Sequence, residues 1–359
     1  MVVGPILDQR PDEEMSDPVM AALNSPPGAL AESVLNRIDA REGTTASDVP
    51  DAIWNRMTRL LHPETAWASH AATILASRLG NLFKRNPDWV RDHFIRKFNW
   101  ANNPNAAVLW QGYFWQLLLP NDLWPLIKPD FLAAVGHSDC LGNHAKSAAS
   151  WFTVICVDRP AFITHTEATE VLQNMSPRYR GAVAQVLRRR LEQASSADQL
   201  WRDKIGPWLR TAWPRKQNLI ESSPSLYLSL AAVTTRDEFP NAVETIREFA
   251  GASPDYSVLI EVVKAEHAQL VDLHPRELLE LVTSRLEIRF FGAASKSYSV
   301  TTFPVLLLGV PNWAGDGGSR LRRKRLKEDG LADCGAKGLI RGRPIERERD
   351  GQSCCCSAR

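Results

Sequence analysis

The feature that most constrains this chain is the return of apolar residues every three or four positions, interrupted by prolines that open one helix after another. Such starts occur at Asn86-Pro87, Ser176-Pro177 and His274-Pro275. Proline suits the first helical turn because the N–H that it lacks would have no partner there. No stretch alternates apolar and polar residues between hairpin turns, so no strand is predicted. The pattern predicts an all-α fold.

The periodicity also sets the predicted helix boundaries. Pro125 and Pro129 interrupt one apolar segment, which we therefore expect to form short or kinked helices. Short helices that follow one another can bury their faces against sequence neighbours, which favours a degenerate HEAT-like helical-repeat solenoid or an irregular multi-helix array. A compact helical bundle is the alternative. The predicted helices span 51–61, 66–83, 87–98, 104–117, 122–135, 145–157, 177–191 and 197–213, and three more open at Pro224, Pro254 and Pro275.

The chain divides into an acidic body and a basic tail. Its 43 Lys and Arg nearly balance its 41 Asp and Glu, which does not suit a dedicated nucleic-acid-binding protein. Residues 287–359, however, hold 14 of these basic and 8 of these acidic side chains, together with four of the six cysteines. We predict a partly disordered N-terminal segment with one short helix (1–50), an all-α helical-repeat domain (51–286) and a disordered basic tail (287–359).

The tail has two explanations. After Leu286 the composition becomes rich in Gly and Arg, with a basic run from Arg320 to Lys327 and three consecutive cysteines from Cys354 to Cys356. A GC-rich coding region yields such a sequence when it is read out of frame, and the tail would then not belong to the native fold. A genuine basic arm is the alternative, since charge runs often serve as disordered interaction segments.

One group of metal-ligating residue types is close in sequence. His137, Cys140 and His144, with Cys156 one predicted helix later, are residue types that bind zinc at about 2.0–2.3 Å. They lack the paired C-x2-C spacing of common zinc sites, and a polar loop between two helices explains them better. We therefore predict no metal ligands and no cofactor.

Arginines and tryptophans are the candidates for nucleic-acid binding. Arg178, Arg180 and the run Arg188 to Arg190 share one predicted helix, where consecutive side chains point about 100° apart. This spacing favours a solvated helix face over a phosphate site. Trp201, Trp208 and Trp213 could stack on bases, but helical spacing favours the core, and we place Trp208 between neighbouring helices.

No catalytic motif occurs in the sequence. It contains no G-x-S-x-G elbow, no P-loop and no H-E-x-x-H. The carboxylate pairs Asp237 with Glu238 and Glu261 with Glu266 are of a kind that any surface helix offers. No apolar run approaches the roughly 20 residues that cross a bilayer, and the N-terminus lacks the apolar core of a signal peptide. We predict a non-enzymatic, cytoplasmic protein with no catalytic residue and no membrane partner.

Several short segments between 17 and 286 carry a resemblance to a known family. They are Leu23–Gly28, Ile74–Leu79, Lys128–Leu132, Leu200-Trp201, Gly206–Pro214 and Phe239–Val243. Together they resemble the helical C-terminal region of large bacterial sirtuin-like proteins, a domain of unknown function that follows an NAD-consuming domain in proteins linked to anti-phage defence. No Gly-rich strand–turn–helix for a dinucleotide occurs near the N-terminus, so no NAD chemistry is carried over to any residue.

The resemblance implies a fragment or accessory region that acts through its surface on a protein partner. A sirtuin-like effector domain is the first candidate partner, and the expected role is a non-catalytic interaction or regulatory domain. The residues alone leave open the alternative of a nucleic-acid-binding helical-repeat protein that uses basic and Trp-rich surfaces. A third class is an enzyme with an unrecognised all-α site, which nothing in the sequence requires.

Overall fold

A computed structural model of the chain describes residues 17–40, 49–61, 68–100, 103, 105–215, 222–249, 251, 257–262, 264, 267 and 269–285. The chain divides into two units, 1–295 and 296–359, and all the described residues lie in the first. These residues are mostly helical and include no strand, which confirms the predicted all-α fold. The predicted basic tail, 287–359, lies outside the described residues.

Eight helices make up the first part of the described chain. A short 3-10 segment, Ile95–Phe98, follows the sixth of them, and another, Ser138–His144, follows the eighth. Their bounds are α1 Pro18–Leu23, α2 Pro26–Asp39, α3 Asp51–Leu60, α4 Ala68–Ser77, α5 Leu79–Arg85, α6 Pro87–His93, α7 Ala106–Trp115 and α8 Trp124–Gly136.

The remaining helices follow with similarly short connections, and a π-helical turn at Trp201–Ile205 joins the fourth of them to the fifth. Their bounds are α9 Ala145–Asp158, α10 His165–Asn174, α11 Pro177–Gln193, α12 Ala197–Leu200, α13 Gly206–Ala212, α14 Ser222–Thr234, α15 Phe239–Arg247, α16 Ser257–Val262, α17 Gln269–Leu273 and α18 Pro275–Arg285.

The proline-led starts that the sequence predicts are present. Helix α6 begins at Pro87, and the Asn86 side chain accepts a hydrogen bond from the Trp89 N–H at 2.9 Å. Helices α11 and α18 begin at Pro177 and Pro275. The predicted starts at Pro104 and Pro254 lie outside the described residues. Local capping therefore places these helix ends as the sequence indicates.

Two predicted helix boundaries differ from the structure. The predicted helix over 66–83 is two helices, because the chain leaves helical geometry at Arg78 after the Ser77 hydroxyl donates to the Ile74 carbonyl oxygen at 2.7 Å. Serine hydroxyls compete in this way for the backbone groups of a helix. Helix α8, in contrast, continues through Pro129 in its interior, although proline has no N–H to donate to the preceding turn.

The N-terminal residues also differ from the prediction. The structure places two helices, α1 and α2, where one short helix was predicted. They bury Val19, Ala22 and Ile38, and both helices pack against α4. Apolar burial against α4 thus stabilises an N-terminal segment that the sequence did not mark as part of the helical body.

The helices pack in two rows that follow chain order. In the first row, α4, α7, α9, α11, α14 and α16 each contact the next member. In the second row, α8, α10, α13, α15 and α18 do the same. Contacts between the rows join helices that are close in sequence, such as α8 with α9 and α14 with α15. Most of the packing is therefore between neighbours along the chain.

Polar contacts between the helices also join residues that are near each other in sequence. In a set of these contacts the two partners are separated by 29 to 46 positions, about the length of one helix pair with its loops. Other members of the set are Trp89 with Thr58, Trp124 with Phe162, Thr169 with Ala212, Arg202 with Glu238 and Arg247 with Glu280.

Two contacts have a longer range. The Asn143 side chain donates to Asp17 across 126 positions, and Arg188 donates to Glu261 across 73 positions. The first ties α1 to the start of α9, and the second ties α11 to α16. Helices α11 and α16 are not consecutive in the first row, and α1 belongs to neither row.

Glycines let the helices of the first row approach closely. A Cβ on Gly112 in α7 would overlap the carbonyl oxygen of Thr73 in α4. A Cβ on Gly181 in α11 would overlap the Ser223 hydroxyl in α14. A larger residue at Gly112 would force α7 and α4 apart, because it would meet backbone, whereas at Gly181 the Ser223 side chain would have to rotate away.

We predict that Gly112→Ala lowers the free energy of unfolding by roughly 1–3 kcal/mol, the usual cost of overpacking. The matched control is Gly136→Ala in α8, where the new Cβ would lie 3.6 Å from the nearest side-chain atom, Asn174 Cβ. The control should be neutral or slightly stabilising, since alanine restricts the unfolded chain. Urea unfolding followed by circular dichroism measures both, and equal effects would contradict the close helix contact.

Candidate interaction surface

The structure does not bring the candidate zinc ligands together. His137 and Cys140 are exposed, whereas Cys156 is buried in α9. The Nε2 atom of His144 lies 3.5 Å from an Asp17 oxygen. Among the described residues, no three His, Cys, Asp or Glu side chains lie close enough to hold a metal ion. Burial also raises the pKa of the Cys156 thiol, which disfavours the thiolate that zinc binds.

Asp17 and His144 instead have a structural role. Asp17 accepts a hydrogen bond from the Val19 N–H at 2.9 Å and so caps α1, while Asn143 donates to its other oxygen at 3.3 Å. Burial opposes the charge on Asp17, but these hydrogen bonds and His144 hold its pKa below the usual value. Burial lowers the pKa of His144, although Asp17 acts against this. The contacts attach α1 to the loop that precedes α9.

The three candidate stacking tryptophans are buried. Trp201 is fully inaccessible, and Trp208 and Trp213 are each 4% exposed. The Trp208 and Trp213 rings meet edge to face, with centroids 6.3 Å apart, and Trp208 also hydrogen-bonds Cys156. The predicted core position of Trp208 is confirmed, and these residues do not form a platform for bases.

The arginines of α11 do not form a single site. Arg188 lies 2.7 Å from Glu192 and 3.3 Å from Glu261, whereas Arg190 lies 2.8 Å from Asp158 on the α9 side. Arg189 points to solvent between them. Consecutive residues on a helix diverge in this way. The run therefore links α11 to two different neighbours.

Arg180 was predicted to lie on a solvated helix face, and this is wrong because only 2% of the residue is exposed. Its guanidinium donates to the carbonyl oxygens of Leu172, at 3.1 Å, and Met175. These carbonyls lie in the last turn of α10 and just after it, where backbone acceptors lack helical partners. Arg180 thus stabilises the C-terminal end of α10, while Arg178 is exposed as predicted.

The candidate carboxylates pair with cations and not with each other. Glu238 lies 2.6 Å from Arg202, whereas its neighbour Asp237 is exposed. Glu261, which is 9% exposed, lies 2.7 Å from Lys264 and also contacts Arg188. Glu266 lies outside the described residues. Glu238 and Glu261 are therefore each held in an ion pair with a basic side chain.

An exposed apolar surface is the feature that sequence reasoning missed. At the C-terminal end of α7, Trp115 is 39% exposed, and Leu118 in the following loop is 37% exposed. Trp115 is the one tryptophan that is exposed among the described residues. Helix α7 is apolar on all sides, which predicts burial throughout. The periodicity therefore could not single out Trp115.

Three neighbouring elements hold the loop that carries Leu118. The Tyr113 hydroxyl donates to the Leu118 carbonyl oxygen at 3.3 Å, and Arg159 donates to that of Leu119 at 3.4 Å. On the third side, Gly80 of α5 lies so close to Leu118 that a Cβ there would overlap the Leu118 carbonyl. The exposed residues are thus presented by a well-connected loop.

Arg159 extends this surface to the next loop. Its guanidinium lies 5.3 Å from the centre of the Phe162 ring, a cation–π distance. Phe162 in turn stacks on Trp124, with centroids 5.3 Å apart and an interplanar angle of 13°. We name Trp115, Leu118, Leu119, Arg159 and Phe162 the Trp115 surface.

Comparison of the chain with protein-family models, curated proteins and solved structures found no match. The resemblance to sirtuin-associated regions stays a prediction from the sequence. No helix among the described residues is long and apolar enough to cross a membrane. The geometry of the Trp115 surface and the packing of the helices are therefore the basis of the proposed function.

We predict that Trp208→Ala lowers the free energy of unfolding by about 3–5 kcal/mol, as large-to-small core substitutions do. The comparison variant, Trp115→Ala, should lower it clearly less, because 39% of Trp115 is already exposed to solvent in the folded chain. Chemical unfolding of the two variants and the wild type measures the difference. A Trp208→Ala protein as stable as the wild type would contradict its burial.

Proposed function

We propose that the chain is a non-catalytic interaction and regulatory domain that binds a protein partner, built from degenerate HEAT-like helical repeats. The two rows of helices and the polar contacts at 29–46 positions support the repeat architecture, since each repeat of a solenoid contacts mainly its neighbours. Such arrays bind partners through extended surfaces.

The exposure of Trp115 is the observation that carries a binding function. Exposing a tryptophan and a leucine to water is unfavourable, so a fixed pair of them favours a surface that a partner covers. Tryptophan and arginine are also the residues most enriched at the energetic centres of protein interfaces. Trp115 and Arg159 bring both types to one surface.

A sirtuin-like NAD-consuming effector is the first partner that we propose, because of the sequence resemblance. In this proposal the chain acts in the bacterial cytoplasm as an accessory region of an anti-phage defence system. The nucleic-acid alternative is less well supported, because Trp201, Trp208 and Trp213 are buried and Arg188 and Arg190 are paired with carboxylates. Its remaining basis is the basic tail, which the structure does not describe.

The test is to mix the purified chain with a purified bacterial sirtuin-like effector and to follow both association and NAD turnover. We expect a stoichiometric complex in sedimentation velocity and an altered rate of NAD consumption by the effector, while the chain alone leaves NAD unchanged. An unrelated NAD-consuming enzyme serves as the control.

Two results would contradict the proposal. One is NAD turnover by the chain alone. The other is the absence of an effector complex together with tight oligonucleotide binding that weakens steeply with salt, as phosphate contacts require.

A further inference from the structure

We propose that the Trp115 surface binds an acidic amphipathic helix of the partner. Apolar side chains of that helix would cover Trp115 and Leu118, and its carboxylates would pair with Arg159 and Lys84. This inference rests on the proposed protein-binding function and adds the location of the site and the chemistry of the partner.

The geometry of the surface favours binding with little loss of entropy. Contacts with Tyr113, Gly80 and Arg159 hold the loop before a partner arrives. Surfaces that are ordered in advance lose less conformational freedom on association. Trp115 and Leu118 lie three positions apart at the end of α7, so a row of apolar residues on one helix face is long enough to cover both.

The charges beside the surface favour an acidic partner. Arg159 is exposed and has no carboxylate partner among the described residues. Asp158, its neighbour in sequence, is paired with Arg190 at 2.8 Å and Lys204 at 3.2 Å. The Arg159 charge is therefore available to a partner carboxylate, and such charge-assisted hydrogen bonds are among the stronger ones.

A second cation lies near Leu118. Gly80 faces Leu118 from α5, and Lys84 follows it by four residues, which places it on the same helix face. Lys84 is exposed and forms no ion pair with any residue that the structure describes. Asp122, in the loop after Leu118, is an exposed carboxylate that partly offsets these cations. Two cations beside the exposed apolar residues match a helix that carries carboxylates next to its apolar face.

The same residues do not favour nucleic acid. Affinity for a phosphate backbone grows with the number of phosphates that Lys and Arg neutralise, and only Arg159 and Lys84 are available here. Trp115 offers a ring for base stacking, but the exposed Leu118 beside it is aliphatic and does not. A protein helix satisfies both the apolar and the charged part of the surface.

The test uses the full chain and a designed, fluorescently labelled amphipathic peptide with Leu and Phe on one helical face and Glu on the other. Its control carries Lys at every Glu position and the same apolar residues. We expect fluorescence anisotropy to show that the acidic peptide binds at least about tenfold more tightly than the basic one. Raised salt should reduce the difference, because the cations are solvent-exposed.

Variants of the chain locate the site. Trp115→Ala and Leu118→Ser should each weaken binding of the acidic peptide by about tenfold or more. Arg159→Glu should reverse the preference towards the basic peptide, and Lys84→Glu should do the same without touching the loop. Leu273→Ser, at a side chain of α17 that is 59% exposed, is the matched control and should leave binding unchanged. Thermal unfolding checks that each variant is folded.

Equal affinities for the two peptides, no binding of the acidic peptide, or unchanged binding by a folded Trp115→Ala protein would each overturn the proposal. So would an oligonucleotide that binds and competes at this surface. An effector complex that survives Trp115→Ala and Arg159→Glu would also overturn it, but would leave the proposed function intact.

Discussion

Small residues at the contacts between the helices of the first row determine how closely these helices approach one another. Gly112 lies directly on the backbone of Thr73, and Gly181 lies on Ser223. These close contacts allow short helices to bury apolar side chains against neighbours in sequence. In the second row, contacts such as Arg247 with Glu280 join α15 to α18. The packing can therefore proceed from one helix pair to the next.

Local signals predicted the helices well and the roles of individual side chains less well. Asn86 and Pro87 mark the start of α6 because capping depends only on nearby residues. Helical geometry is interrupted at Arg78, within a segment where apolar residues recur at helical spacing without a gap. The periodicity of the sequence therefore could not indicate this interruption. Arg180 was assigned to solvent because its carbonyl partners at the end of α10 become neighbours only after folding. Trp115 was missed because every face of α7 is apolar.

Several polar side chains connect one helix to another. Among them are Arg188, Glu238 and Glu261, which form ion pairs between different helices. The Trp115 surface differs, because Trp115, Leu118 and Arg159 are exposed and Arg159 forms no ion pair with another described residue. An exposed apolar pair beside such a cation supports the proposed binding role of this surface.

The central claim is that the described chain is an array in which each helix pair is stabilised mainly by its neighbours. Native-state hydrogen exchange of the full chain at increasing denaturant concentration tests it directly. The account predicts that the α4–α7 region and the α14–α16 region open as separate blocks with different free energies, as nearest-neighbour arrays do. A single opening free energy shared by all the described helices would contradict it and would indicate one globally cooperative bundle.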